Sequence, residues 1–371
     1  MRVVHLTSVH PWNDNRIFNK MCRSLALAGH DVHLVAVMDK MQHGTIVDGV
    51  TLHPICSPRN RCERFLITTP TVLSEALRIN GDLYHFHDPE ILPYIVRARS
   101  EISKPIIYDI HEDYPAAMLR KHWMPKLFRP LMSYFTDLFE RKGVARIDGL
   151  IAAWPKIYER FEGHPRRIII NNYPYASELR KNQVPGMTGR TGYFAYVGVL
   201  SKARGILEMI RATDIGGIGY RLMLAGNWSP LEFEKECRAE RGWRNCEYKG
   251  YLTRKDIRDL FASVQAGLIA FHPEPNHLYS VPNKIFEYIS AGLPVIASDL
   301  PMQREIVEKF GCGLIADPTS PNSIHEKMRW IHEHPNEAIE MGAAGRRAVK
   351  DKLNWENEFS KLIEFYRVIS T

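Results

Sequence analysis

Two histidine-bearing runs and one long segment hold the residue types from which chemistry could be built. His87 stands in His85-Phe86-His87-Asp88-Pro89, and His111 in Tyr108-Asp109-Ile110-His111-Glu112-Asp113-Tyr114-Pro115. Each run closes a strand-like stretch, and an imidazole placed there can both donate and accept hydrogen bonds near neutral pH. A lone histidine usually fills a structural place, but two on neighbouring strand ends weigh toward a ligand-facing role. The long segment, Phe271 to Asp299, reads FHPEPNHLYSVPNKIFEYISAGLPVIASD. A strand ends in it, a loop follows, and a helix starts near Pro282 with Ser280 placed to cap it. Such a start turns unpaired backbone N–H groups outward, where they and the helix dipole can hold a diphosphate. Asn283 and Glu287 are four apart and share a helix face, while Phe286 and Ile289 turn toward a core. A carboxylate one turn from a phosphate site can accept hydrogen bonds from two vicinal ribose hydroxyls. By spacing alone, a solvated helix charge is the commoner reading of Glu287.

These residues need strands and helices to bring them together, and the chain supplies them in alternation. Val3 to Thr7, Val32 to Val37, Leu83 to His87, Pro105 to Ile110 and Leu150 to Ala153 are short β-rich runs, each beside an amphipathic stretch. That pattern predicts a parallel sheet covered by helices on both faces. In the first helix Ile17, Met21, Leu25 and Leu27 recur at helical spacing, and Gly29 marks its end. A second series follows the polar stretch from Pro174 to Gly192, with strands at Tyr193 to Val197, Arg221 to Ala225, Gly267 to Phe271 and Pro294 to Ala297. The expectation is an N-terminal domain over 1–175, a linker over 176–192, a C-terminal domain over 193–354, and a closing helix over 355–371 across the junction. Two Rossmann-like, doubly wound α/β halves of this kind bind ligands at the carboxyl ends of their strands, here facing a central cleft.

Composition narrows the function. At 371 residues the chain exceeds the ~250–300 at which one core stops growing, and 45% hydrophobic with 25% charged residues is ordinary for a globular protein. The six cysteines are scattered without a CxxC pair, and no histidine group has zinc-finger spacing, so buried thiols in a reducing compartment are expected. The N-terminus enters a strand at once with no secretory pattern, and no stretch is apolar for the ~20 residues that span a bilayer, which predicts a cytoplasmic protein. A formal charge of +7 favours anionic partners; membrane surface and phosphate rank ahead of nucleic acid, for which no motif is present. A dinucleotide oxidoreductase would carry glycines after strand one, yet Ser8-Val9-His10-Pro11-Trp12 has none. Walker A is absent as well.

Glu287 followed by Tyr288, Gly292, Pro294-Val295-Ile296-Ala297 resembles the donor-site helix of glycosyltransferase family 4, of GT-B fold. In that family two glutamates stand eight apart, the second on ribose and the first near the donor sugar. Glu287 matches the second, and Tyr279 stands at the place of the first. The Pro282-Asn283-Lys284-x-x-Glu287-Tyr288 form is similar to a variant within the family. Tyr196-Val197-Gly198-Val199-Leu200-Ser201-Lys202-Ala203-Arg204-Gly205 resembles its phosphate-gripping loop, with Arg204 at the second cation and Val199 where the first would be. Arginine suits that role because it can bond bidentately to a phosphate; the alternative is an ordinary surface arginine at a helix start. Lys202 or Lys284 is a candidate for the lost charge. Leu222 to Gly226 resembles the second strand and its glycine turn, and Gly250-Tyr251-Leu252 the loop whose backbone reads the base. The resemblance thus implies a donor site of Gly198, Arg204, Gly226, Tyr251, Leu252, Tyr279, Ser280, Val281, Asn283, Lys284 and Glu287.

On the acceptor side the family's usual glycine pair after strand one is replaced by Pro11 to Phe18, similar to a subset with Asp-x-Arg-Ile-Phe, here Asp14 to Phe18. Arg16 would face donor phosphates or an acidic acceptor, or else pair with Asp14 to shape the loop. The resemblance places His111 beside the donor sugar and His87 and Asp88 toward the acceptor. It implies transfer from a UDP- or GDP-sugar to a carbohydrate or lipid-pyrophosphate-linked acceptor with retention, in bacterial surface polysaccharide assembly. Arg204 and the helix at Pro282 would stabilise the leaving diphosphate electrostatically, with His111 orienting substrate. No Asp-x-Asp occurs, so neither a divalent-metal clamp nor another cofactor is expected. The run Met118 to Phe128, with Arg120, Lys121, Lys126, Trp123 and Phe128, suits an anionic membrane surface, although Pro125 and Pro130 argue against a long amphipathic anchor. Two other readings stand beside this one. A weakly active subunit of a glycosylation complex would fit the replaced glutamate and cation, and a sugar-nucleotide epimerase can share the fold.

Overall fold

A computed structural model of the chain describes residues 1–119, 124–177, 192–217, 219–279 and 281–371. Two compact units divide it: Met1–Asn172 with Glu358–Thr371, and Tyr173–Asn357. The expected boundaries move accordingly. The first unit ends at Asn172, three residues before the expected 175, and the closing helix Trp355–Ser370 joins it from Glu358 onward. There Leu362 and Tyr366 are fully buried, and a Cβ on Gly149 would meet Ile369 and Phe365 at 2.8 and 2.9 Å. Most of the expected linker, 178–191, lies outside the described residues.

In the first unit the strands are β1 (Arg2–Pro11), β2 (Asp31–Val37), β3 (Thr45–Val47), β4 (Val50–Ile55), β5 (Leu83–Phe86), β6 (Ile106–Ile110), β7 (Gly149–Ala152) and β8 (Arg167–Ile169). They form one sheet in the order β3-β4-β2-β1-β5-β6-β7-β8, parallel except for the β3–β4 pair. β5, β6 and β7 are buried at every residue, and Val3, Val4 and Leu6 of β1 are wholly inaccessible. Apolar runs covered on both faces are what parallel sheets require. In the second unit β9 (Tyr193–Val197), β10 (Arg221–Ala225), β11 (Cys246–Tyr248), β12 (Ala266–Leu268), β13 (Val295–Ser298) and β14 (Gly313–Ala316) are all parallel, in the order β11-β10-β9-β12-β13-β14. Strand order reverses direction between β1 and β5 in one sheet and between β9 and β12 in the other. Ligand crevices open at such points, outside the carboxyl ends of the strands.

Three local departures from the sequence reading matter. The first helix is π-helical over Ile17–Cys22 before an α-helical turn over Arg23–Leu27. Ile17, Met21 and Leu25 are buried as expected, but Leu27, two residues past Leu25 and so on the far side, is 85% exposed. Strand β12 stops at Leu268, short of the expected Phe271, although Ile269 to Phe271 remain buried. Pro130 does not break the basic-aromatic run: it occupies the first turn of a 16-residue helix, Arg129–Val144, a position where a missing N–H costs nothing.

Candidate active site

The carboxyl edge of the first sheet is polar and interlocked. Asp109, near the end of β6, is wholly buried, and Arg16 meets it with Nε at 2.9 Å and Nη2 at 2.8 Å. The remaining guanidinium nitrogen, Nη1, donates to the Ile170 carbonyl at 2.8 Å. On Asp109 Oδ2 also converge His111 Nε2 at 2.9 Å and His87 Nδ1 at 3.3 Å. Burial pushes the Asp109 carboxyl up, but the Arg16 charge and the two imidazoles more than reverse that and hold it well below the usual carboxylate range. Behind His87 lie His5, whose Nδ1 is 3.0 Å from His87 Nε2, and His85, whose Nδ1 is 2.6 Å from the Tyr366 hydroxyl. Burial pushes His87 down to about 4 against the pull of Asp109, and lowers His5 and His85 well below the usual imidazole value, so these three imidazoles are neutral at pH 7.

A second carboxylate, Asp88, organises the irregular carboxyl half of β1. The register of β1 against β2 shifts between Leu6 and Pro11, which frees two amides. Ser8 N and Val9 N donate to Asp88 Oδ2 at 2.6 and 3.2 Å, joined by the Thr7 hydroxyl at 2.7 Å. His10 Nδ1 stands 2.8 Å from Asp88 Oδ1. Burial would lower the His10 imidazole, but the Asp88 hydrogen bond and charge outweigh it and lift His10 above its usual value.

The second unit presents a different edge at β9 and β12. Gly198, after β9, has φ +152°, and Gly226, after β10, has φ +134°. A Cβ on Gly226 would fall 1.9 Å from the Gly198 carbonyl, and one on Gly198 would press the Tyr196 hydroxyl and Arg204 Nη1 at 3.0 and 3.2 Å. Two glycines therefore let two loops touch at backbone level. Arg204 Nη1 donates to the Tyr196 hydroxyl at 3.3 Å, and its guanidinium lies 5.2 Å from the Phe271 ring centre. Among the described residues no carboxylate pairs with Arg204, although it precedes the helix Ile206–Ala212, where the dipole disfavours a cation. An anion would complete that arrangement.

The helix Asn283–Ser290 starts as expected, with Pro282 at the cap rather than inside the first turn. Tyr288 explains why the Glu-Tyr pair sits as it does. Its ring fills the space that a Cβ on Gly267 would enter at 2.3 Å, and its hydroxyl accepts from Val197 N at 3.1 Å and donates to the Ala195 carbonyl at 3.3 Å. Anchored so, the helix turns Glu287 outward, 39% exposed, where Lys284 Nζ approaches its Oε2 at 2.5 Å. Lys202 is exposed and pairs with Glu236 at 3.3 Å.

The sequence-derived set therefore divides. His87, His111 and Asp88 come together at the first edge with Arg16, but Arg16 is 5% exposed and committed to Asp109, which corrects both the ligand-facing and the Asp14-paired readings of its side chain. Asp14 instead takes the amides of Arg16 and Ile17 at 2.8 and 2.9 Å. Gly198, Gly226 and Arg204 meet at the second edge. Gly250 accepts from Gly226 N at 2.8 Å, with Tyr251 79% exposed and Leu252 half-buried beside it. Tyr279 is 41% exposed, Asn283 is exposed and Val281 half-buried, and Ser280 lies outside the described residues. Sequence reasoning passed over Asp109 and His10. A lone aspartate in the otherwise apolar strand Ile106–Ile110 was a legible signal, because a charge in a fully buried strand has to be paired.

The family described as glycosyl transferases group 1 matches residues 179–348, and glycosyltransferase family 4 matches residues 15–170. The D-rhamnosyltransferase WbpZ of Pseudomonas aeruginosa is 25% identical over 365 residues, covering 92% of this chain and 89% of that protein. A GDP-mannose-dependent alpha-(1-6)-phosphatidylinositol monomannoside mannosyltransferase of Mycobacterium tuberculosis is 23% identical over 239 residues, 64% of this chain and 48% of its own length. Among solved structures, sucrose-phosphate synthase from Thermosynechococcus elongatus superposes with a TM-score of 0.77 at 15% identity over 99% of this chain and 98% of that one. HepE from Anabaena in complex with UDP gives 0.71 at 13% identity over 99% and 100%.

Proposed function

Since this chain belongs to the glycosyltransferases of family 4 and group 1, on a GT-B fold, we propose that it moves a hexose from a UDP- or GDP-sugar to a carbohydrate or lipid-linked saccharide acceptor with retention, in bacterial surface polysaccharide assembly. The observation that carries the donor assignment is Arg204, a cation at a helix start with no carboxylate partner among the described residues, beside a backbone-level contact of two glycine loops. A diphosphate set against that loop gains a charge-assisted hydrogen bond from Arg204 and amide donors from the start of helix Asn283–Ser290. Both act most strongly as the leaving group gains charge. No Asp-x-Asp offers a metal clamp, and in this reading the departing phosphate is stabilised by these groups with no divalent ion. Glu287 accepts from the ribose hydroxyls. His111, held by Asp109, orients the sugar and acceptor, and the departing phosphate takes the acceptor proton.

The acceptor end of the reading is a lipid-linked saccharide at an anionic membrane, with the protein peripheral on its cytoplasmic face. Its support is the helix Arg129–Val144 and the turn before it. Leu127, Phe128, Leu131, Tyr134 and Phe135 are each half exposed or more, with Lys126, Arg129, Arg141 and Lys142 interspersed. Exposed apolar area of this extent with cationic neighbours matches a headgroup–acyl boundary. The patch extends past the expected Met118 to Phe128 run, of which Arg120, Lys121 and Trp123 lie outside the described residues. No helix among the described residues is long and apolar enough to cross a membrane. The test is release of UDP or GDP over a panel of nucleotide sugars, with and without lipid-linked acceptors. Acceptor-dependent release from one donor is the expected result. Sugar-nucleotide isomerisation without release would establish the epimerase reading instead, and no turnover with any donor the weak-subunit reading.

A further inference from the structure

A second polar cluster lies on the other flank of the first sheet, on β2, β4 and the helix Thr69–Ile79, and the sugar-transfer reading makes no use of it. His43 Nε2 is 2.8 Å from Glu75 Oε1, His53 Nδ1 is 3.1 Å from the same oxygen, and the two nitrogens are 3.2 Å apart. His53 is nearly buried and Glu75 16% exposed, while His43 is half exposed and closes the outer side. Arg78 grips both oxygens of Glu75, Nε to Oε2 at 2.9 Å and Nη2 to Oε1 at 2.8 Å, which fixes the carboxylate toward the imidazoles.

Proton counting shows what this cluster is short of. A chain of contacts runs from Glu75 to His53, from His53 Nε2 to His33 Nδ1 at 2.9 Å, and from His33 Nε2 to Asp31 Oδ1 at 3.1 Å. Three contacts join two carboxylates through two imidazoles, and each neutral imidazole brings one N–H. One contact therefore lacks a proton. With N–H on His53 Nδ1 and His33 Nδ1, the bare Nε2 of His33 faces Asp31 Oδ1 at 3.1 Å, acceptor against acceptor. A cation at the Glu75 end resolves the count. His53 then ligates through Nδ1 and donates from Nε2 to His33, which donates from Nε2 toward Asp31. Imidazoles that bind metal ordinarily donate their other ring N–H to an acceptor, here the His33 imidazole, which Asp31 backs in turn.

We propose that His43 Nε2, His53 Nδ1 and Glu75 Oε1 form a site for a zinc-class divalent metal ion, clipping the β2–β3 connection and the helix Thr69–Ile79 to β4. Tetrahedral zinc with imidazole and carboxylate ligands sets neighbouring donor atoms about 3.3 Å apart, so the three need open by only a few tenths of an ångström. Arg78 keeps Oε2 and gives up Oε1, and the half-exposed side near His43 leaves the fourth position to water. Two imidazoles with one carboxylate favour zinc, nickel or copper over magnesium or calcium. The site is independent of the donor reading and would stabilise the sheet edge rather than take part in transfer.

The test is a zinc titration of the untagged, chelator-stripped full chain in competition with a chromogenic chelator, on wild type, His43→Ala, Glu75→Gln and His111→Ala. Expected are one equivalent bound by wild type, affinity weakened at least about tenfold in the first two variants, and wild-type affinity in His111→Ala. Because His43 is half exposed, His43→Ala should keep the thermal midpoint of the zinc-free protein while losing the upward shift that zinc gives wild type. The proposal is overturned if wild type takes no zinc from the chelator or if His43→Ala binds as tightly as wild type. Loss of the site in His111→Ala would place the ion at the His87, Asp109 and His111 group instead.

Discussion

The carboxyl edges of the two sheets carry opposite electrostatic designs around the same reversal of strand order. At the first, every described buried charge is answered: Asp109 by Arg16 and two imidazoles, Asp88 by two amides, a hydroxyl and His10. At the second, among the described residues, Arg204 meets a hydroxyl and an aromatic face but no carboxylate, and Glu287 meets one lysine at the surface. A charge taken out of water must be paired or it destabilises the fold. One left half exposed and unpaired costs little and remains available to a charged ligand. The first edge is thus a fixed wall behind His111, and the second, in the proposed reading, a partial clamp that a donor diphosphate would complete.

Cutting each design at its centre gives the largest expected effects. Asp109→Ala leaves Arg16 buried without a counter-charge and should lower unfolding stability by about 3–5 kcal/mol in urea. Arg204→Ala should leave urea stability nearly unchanged but slow donor-dependent release of the nucleoside diphosphate on the order of 10²–10³-fold. The contrast breaks if Arg204→Ala unfolds as readily as Asp109→Ala, or if its turnover matches wild type.

Acid separates the two edges by a different route. The unfolded chain protonates His87 near 6.5, but in the fold burial holds that imidazole down to about 4. Between those values the unfolded state binds more protons, so stability falls as pH drops, by about 3 kcal/mol for His87 alone over the interval. His5 and His85, lowered in the same direction, add to the slope. His10 works in the opposite sense: its raised value contributes stability below 6.5 that is lost as pH rises through the folded value. Urea midpoints from pH 7 to pH 4 should therefore decline, and His87→Gln should flatten the decline. An equal slope in that variant would show that other groups govern the acid response.

How legible each edge was in the sequence follows from the range of its contacts. The strands Tyr193–Val197 and Arg221–Ala225 appear with the bounds their apolar runs gave, and Glu287 falls on the helix that local spacing predicted. β3, β8 and β11, at three residues each, are too short for a periodic signal, and β4 carries Pro54, which reads as a break. Pro54 is tolerated because β3 pairs with β4 only as far as Leu52. The first edge was harder to read, since Arg16 and Asp109 are 93 residues apart and only the sheet order joins them. His33, His43, His53 and Glu75 share that condition, scattered over the chain at no spacing that a ligand motif would show.

The smallest expected effect tests the surface carboxylate of the second edge. Glu287 already bonds Lys284, so in the proposed reading ribose hydroxyls would share or displace that contact. Glu287→Gln keeps the shape and removes the charge, and a hydrogen bond to a charged group is worth about 1.5–3 kcal/mol. Part of that is lost to competition with Lys284, so KM for the nucleotide sugar should rise roughly tenfold with kcat little changed, as for an interaction made equally in ground and transition states. Lys284→Ala should move stability by less than about 1 kcal/mol, since exposed pairs contribute little. If Glu287 binds ribose, that variant also leaves the carboxylate freer and should lower KM or hold it constant. A KM that rises as much in Lys284→Ala as in Glu287→Gln would make the lysine the ligand-binding group and the glutamate its support, transferring a cation to the clamp that Arg204 otherwise supplies alone.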